Sequence, residues 1–199
     1  MRLTSAGVEV EVDACVVAVP ASVMDRIVFE PALPDRLAAA VAAVSYGHAA
    51  KLFVPLRRPA PPSAVMSVPE RYWTWTATGA GSETQPVVSA FAGSAAALAR
   101  LEVGSGPGRW LRSLARLRDD LALEPRGAVL STWDDDEWVR AAYSVSPSPE
   151  VTAAFHQRLG PLAFAGEHTA GRFAALMEGA VRSGRRAAAA LLGRAPSTA

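Results

Sequence analysis

The chain has 199 residues, half of them hydrophobic and a fifth charged, an ordinary globular composition with length enough for one or two domains and a sizeable core. A net charge of +1 supplies no field that would gather nucleic acid or an anionic membrane, so neither partner is expected. No apolar stretch reaches the roughly 18 residues of a membrane span, and no signal peptide opens the chain, so it reads as cytoplasmic.

The run from Val10 to Pro20 begins with alternation and ends in continuous apolar residues, which predicts one strand entering a buried sheet. Cys15 lies in it and is expected to be a buried, inert thiol; as the only cysteine it excludes an intrachain disulfide. Asp25 to Pro34 is a proline-punctuated connection, and Pro34 to Gly47 reads as a helix. Ala49 to Leu56 is a strand, Arg57 to Ser63 a proline-rich loop, and Arg71 to Gly79 a strand alternating aromatic residues with threonine. Pro86 to Gly93 is a further strand, followed by a short helix over Ser94 to Leu101 and a glycine-rich turn. Arg109 to Leu121 repeats leucine at helical spacing. Arg126 to Trp133 is a strand, and Asp134 to Trp138 a charged, solvated turn. Pro149 to Gly160 is a short helix, Pro161 to Gly166 a buried strand and Met177 to Leu192 the last helix, followed by a frayed tail, GRAPSTA.

This irregular alternation predicts an α/β to α+β fold. The first strand and the closing strand–helix have the character of a nucleotide-binding domain, and the middle, 49–132, is a separate region, so one domain is left and re-entered. His48, His156 and His168 show no metal-ligand spacing, and no metal is assigned. Arg182, Arg185 and Arg186 look like the exposed basic face of the last helix.

Four blocks in order, DACVVAVPASVMDRIVFEPALP, SYGHAAKLFVPL, TWDDDEWVRAAYSVSPSP and GPLAFAGEHTAGRFAALMEGAVRSGRRAAAALL, resemble the C-terminal half of the flavin-containing amine oxidases, a family that includes monoamine, polyamine and L-amino-acid oxidases. The resemblance implies an FAD-binding, Rossmann-like domain in two segments, 1–48 and 133–199, with a mixed-sheet substrate domain, 49–132, between them. It implies that Gly166 and Glu167 meet the ribityl–pyrophosphate part of the flavin, where a glycine lets backbone approach a ligand. The backbone N–H of Met177, backed by the positive helix terminus, would meet the flavin ring. Glu178, in the same turn, is read as structural.

Lys51, the only lysine against nineteen arginines, sits within an apolar strand. A buried ammonium is costly unless it is paired or functional. The resemblance gives it a catalytic part, holding a water beside flavin N5 and assisting oxygen activation. Trp133 would pack near the flavin, and Tyr143 would form one wall of a cage around the substrate amine. Leu176 stands where the family has the opposing aromatic wall, a departure that leaves the substrate class open.

The family's strand–G-x-G-x-x-G–helix unit for the adenosine end of FAD is not in the sequence. Met1 to Gly7 aligns with the middle of a family hairpin whose partner strand is expected upstream. The expectation is thus the C-terminal portion of an FAD-dependent amine oxidase, inactive alone and binding FAD weakly or not at all. The intact enzyme would pass a hydride from the amine to the flavin, release an imine, and use O₂ for reoxidation with formation of H₂O₂. The N-terminal FAD-binding half, or a partner subunit supplying it, is the expected partner beside a small amine and O₂. Without it, the strand of Val16, Val17 and Val19, the strand Leu162 to Ala165 and the last helix would present bare apolar faces. The alternatives are a non-catalytic partner subunit or truncated remnant, and a flavin enzyme acting on a non-amine.

Overall fold

The structure, a computed structural model, describes residues 1–193, so the tail expected to fray lies, after Gly193, outside the described residues. The chain divides into two units, one of Met1–Tyr46 with the described residues from Glu137 onward, the other of Gly47–Asp136.

In the first unit, β1 (Arg2–Ser5) and β2 (Val8–Glu11) form an antiparallel hairpin that turns at Ala6 and Gly7, both at positive φ. The strand expected from Val10 to Pro20 is split: β2 ends at Glu11 with all its residues exposed, and β3 (Cys15–Val17) starts after a break at Asp13. Only Val17 of β3 is buried; Val16 is exposed and Cys15 half-buried, so the thiol is not the buried group expected. A 3-10 turn, Ala21–Arg26, leads to α1 (Asp35–Ala43), which Pro34 precedes as its N-cap.

The second unit is built on alternation. Strands β4 (Ala50–Pro55), β5 (Ala64–Ser67), β6 (Tyr72–Thr78), β7 (Thr84–Ala92) and β8 (Val129–Thr132) form one antiparallel sheet in the order β5-β6-β7-β4-β8. The register sets Ala92 between Ala50 and Tyr72, Ala90 between Leu52 and Thr74, and Val88 between Val54 and Thr76. All of these are buried on one face. The helices α2 (Ala95–Arg100), capped by the Ser94 hydroxyl, and α3 (Gly108–Leu117) complete that core with Ala97, Leu101, Trp110 and Leu114. Trp110 packs edge-on to Tyr72 at 5.6 Å, and the Tyr72 hydroxyl shares a 3.1 Å hydrogen bond with Ser113. Helix α3 ends at Leu117 rather than Leu121. Buried Arg118 follows and clasps Asp120 through Nε and Nη2 at 2.9 and 3.0 Å, and this bond holds the Asp120 carboxyl below the usual carboxylate range.

The other face of the same sheet is open. Lys51 is in register with Phe91 and Phe91 with Trp73; Lys51, Trp73 and Trp75 are all exposed. The buried ammonium expected in β4 is therefore not found. A strand whose Ala50, Leu52 and Val54 turn inward places residue 51 outward by the two-residue period.

Back in the first unit come α4 (Pro149–Phe155), β9 (Leu162–Phe164) and α5 (Met177–Leu191). β3 and β9 pair in parallel, Val17 opposite Phe164. Phe164 packs with Val17, Met24, Leu37 and Phe155 on one side; Ala163 and Ala165 pack with Ala187 of α5 on the other. β9 thus has no bare face within this unit, contrary to the expectation, because α4 and α5 supply a cover for each side.

The paired Trp110 and Tyr72 give a direct stability test. Trp110→Ala should cost about 3–5 kcal/mol in urea unfolding followed by circular dichroism, as removal of a fully buried indole does.

Candidate functional site

The junction between β9 and α5 is built by polar groups around one glycine. Gly166 has φ +123°, and a Cβ there would lie 2.5 Å from Cε1 of His168, so no other residue fits. Its N–H donates to the Ser183 hydroxyl at 2.9 Å, which donates in turn to the Ala180 carbonyl at 2.7 Å. Arg186 donates to the carbonyls of Phe164 and Thr169 at 2.7 and 3.0 Å and to the Thr169 hydroxyl at 3.0 Å. Arg186 is thus half-buried and committed, not a member of the exposed basic face expected, and burial lowers its pKa. Three acceptors satisfy it without a carboxylate. His168 stands edge-on to Phe155 at 5.2 Å; burial pushes its pKa down, and its Nε2 has no partner among the described residues.

Glu167 begins the short turn after Gly166. Its carboxylate accepts from the Ser144 N–H at 2.8 Å, the Ser144 hydroxyl at 2.6 Å and the Ala175 N–H at 2.5 Å. The side chain is therefore engaged within the protein. Tyr143, before Ser144, lines a cavity of about 390 Å³ together with Val145, Pro147, Gly171, Arg172 and Ala175. Ser144 bridges Tyr46, whose hydroxyl accepts the Ala21 N–H at 2.8 Å; burial pushes that hydroxyl up to about 12. Leu176, the N-cap of α5, offers no side-chain acceptor, so no side chain caps the donors of the first turn. Met177 is 89% exposed, Leu176 52% and Tyr143 39%. Glu178 pairs with Arg182 at 2.7 Å across one helical turn. Gly166, Glu167, Tyr143, Leu176 and Met177 therefore share the first unit, with Glu167 bonded beside two of the others.

Lys51 and Trp133 belong to the second unit. Lys51 is in register with Ser131 on β8, and Trp133, 51% exposed, directly follows that strand. The turn after it is not wholly solvated, as had been expected: Asp134 Oδ2 pairs with His48 Nδ1 at 2.9 Å, and Asp134 Oδ1 is buried. The pair lines a cavity of about 720 Å³ with Leu98, Glu102, Leu130 and Thr132. Among the described residues no three metal-ligating side chains cluster. Sequence reasoning missed Ser144, Ser183 and Arg186; the last two recur on the α5 face that meets β9, a helical spacing that could have marked them.

The pattern of the flavin-containing amine oxidoreductases matches residues 2–192. The chain belongs to this family. An L-amino acid dehydrogenase of Synechocystis sp. is 28% identical over 195 residues, which cover 89% of this chain and 40% of that protein. Cyclohexylamine oxidase of Brevibacterium oxydans, 22% identical, superposes with a TM-score of 0.78 over 96% of this chain and 45% of its own, a likeness of fold. A putrescine oxidase bound to putrescine is 25% identical, with a TM-score of 0.74 over 95% of this chain and 44% of its own. The amine oxidoreductase chain thus spans less than half the length of each of these relatives. No helix among the described residues is long and apolar enough to cross a membrane.

His168 and His156 both have pKa values pushed below the ordinary 6.5, by burial first. The folded chain binds these protons more weakly than the unfolded chain. Their contribution to stability is therefore whole above about pH 6.5 and is lost as pH falls toward the folded values. The urea midpoint should drop between about pH 7 and about pH 5, and His168→Gln should flatten that slope.

Proposed function

We propose that this chain supplies the ring-facing and substrate-facing part of an FAD-dependent amine oxidase, and that its substrate is a small amine. The observation that carries the reading is the uncapped start of α5, with Met177 and Leu176 exposed beside the Tyr143 cavity. Donors without a cap, at the positive end of a fifteen-residue helix, suit a cofactor edge that gains negative charge. Exposed apolar side chains next to them suit a planar apolar ring. The residues present therefore fit a flavin. Met177 would hold it through backbone N–H, Gly166 and Glu167 through the backbone at the β9 end, since the Glu167 carboxylate is already used, and Trp133 by packing. When bound, the flavin supplies a two-electron acceptor for the amine's α-carbon hydride and passes the electrons to O₂ as H₂O₂.

The remaining work falls to side chains. Tyr143 offers an aromatic face that attracts a cationic amine. Leu176 closes the other side with aliphatic rather than aromatic surface. Lys51 carries the positive charge that would steady a developing anion during oxygen reduction. Segments 1–48 and 133–199 act as FAD-binding domain and 49–132 as substrate domain in this reading. A second polypeptide segment or subunit carrying the G-x-G-x-x-G unit is the proposed partner. The aliphatic Leu176 favours one second reading, a flavin enzyme for a non-amine; amine-dependent against alcohol- or alkene-dependent flavin bleaching separates the two.

Two outcomes test this. Purified alone and mixed with FAD, the chain should lose the yellow flavin absorbance on desalting, and retain it once the partner segment is co-expressed; stoichiometric retention by the chain alone would contradict the division of labour. In the flavin-loaded assembly, Lys51→Met should slow the O₂-dependent half-reaction in stopped flow much more than the anaerobic, amine-dependent one. Equal slowing of both would remove Lys51 from oxygen chemistry.

A further inference from the structure

Glu167, which the family resemblance places beside the ribityl–pyrophosphate part of a flavin, has its carboxylate bonded within the protein. Oε1 takes the Ser144 N–H, and Oε2 takes both the Ser144 hydroxyl and the Ala175 N–H, at 2.8, 2.6 and 2.5 Å. Bonds from a carboxylate to backbone donors are the stronger, charge-assisted kind. The two segments they join are the ones that precede and follow the cavity: Ser144 follows Tyr143, and Ala175 precedes Leu176.

Both segments contain left-handed residues. Ala175 has φ +64° and Ser146 φ +38°, left-handed conformations that a side chain disfavours, and Gly171 across the cavity has φ +57°. Such residues persist only where surrounding bonds over-determine them. Ala175 has that support in the carboxylate. The Tyr143 segment is fixed from its other side as well: Ser144 bridges Tyr46, and the Val145 N–H donates to the Ser45 carbonyl at 2.8 Å. One side of the cavity is thus anchored to the body of the unit, and Ala175 is referred to that anchor through a single carboxylate.

We infer that Glu167 is a positioning residue, a two-armed clasp whose carboxylate sets the gap between the Tyr143 and Leu176 segments and thereby the width of the cavity they flank. The assignment of these two as substrate walls rests on the function proposed above; the clasp does not. A glutamate that merely filled space would leave the two segments independent. A clasp couples them, so that loosening one loosens the other only while the carboxylate is present.

Amide exchange and amide proton shifts of the ¹⁵N-labelled 199-residue chain read this directly. Glu167→Gln keeps the shape and loses one of the two equivalent oxygens. Exchange at both Ser144 and Ala175 should quicken on the order of tenfold or more, with both protons moving upfield and the amides of β4 and β7 unchanged. Ser144→Ala, a milder change, should quicken exchange at Ala175 in the presence of Glu167 and have no effect there in the Glu167→Gln background. Unchanged amides in Glu167→Gln, or an Ala175 amide indifferent to Ser144→Ala when Glu167 is present, would overturn the clasp. In the flavin-loaded assembly, Glu167→Gln should raise KM for benzylamine by a larger factor than it lowers kcat. An assembly that turns over no amine at all, with the amide coupling intact, would count against the substrate reading and leave the clasp standing.

Discussion

A strand that ends in mid-protein leaves carbonyls and N–H groups that no ladder satisfies, and the end of β9 is where the first unit meets that constraint. The answer is polar and local. Arg186 reaches back from α5 to the Phe164 and Thr169 carbonyls, Ser183 takes the Gly166 N–H, and Glu167 binds Ser144 and Ala175. Arg186, Ser183, Glu167 and Ser144 are buried or half-buried, where an unmet hydrogen bond is expensive, and Ala175 is exposed. The consequence is geometric. α5 cannot slide along β9 without breaking the Arg186 and Ser183 bonds, so its first turn is delivered to a fixed place. Gly166 is the pivot, since its positive φ and the His168 ring against it leave no room for a side chain.

A rigid frame of this kind lets the groups at its rim stay exposed. Met177, Leu176 and Tyr143 are large residues with a third or more of their surface open. They are held by backbone and by a carboxylate beneath them rather than by packing around them. Preorganisation of that sort is what a binding site requires, because groups already fixed lose little entropy when a ligand arrives. The left-handed Ala175 belongs to the same logic: strain at the rim is tolerated because the charge-assisted bond to Glu167 offsets it.

Much of this fold was legible in the residues. The two-residue period of Arg71 to Gly79 and the leucine spacing of Arg109 to Leu121 marked β6 and α3, because both elements bury one face against a single core. Four ordered blocks carried the family. What failed had physical causes. β5 went unread because its four residues sit at a sheet edge with little burial to impose a pattern. The run from Val10 to Pro20 looked like one strand because composition does not show that Asp13 and Ala14 interrupt pairing between partners as different as β1 and β9. Lys51 was placed inside because its neighbours are apolar; in a sheet with one covered face, inward neighbours at 50, 52 and 54 put the residue at 51 on the opposite, open face. The Glu167 clasp was illegible for a deeper reason. Its partners come from two distant loops, and no local period records a contact set by tertiary structure.

One face of the second unit's sheet is open. Lys51, Phe91 and Trp73 form a cross-strand row, with Trp75 exposed in the next one. Lys51 is the chain's only lysine, against nineteen arginines. Arginine would bring a planar, strongly basic, multidentate group, while a lysine amine is compact and changes protonation readily when its surroundings become less polar. Arginine fills both exposed and buried positions elsewhere, as in Arg182 with Glu178 on α5 and buried Arg118 with Asp120 after α3. Lys51, in register with Phe91 on an open sheet face, differs in shape and in hydrogen-bonding geometry from a guanidinium at the same position.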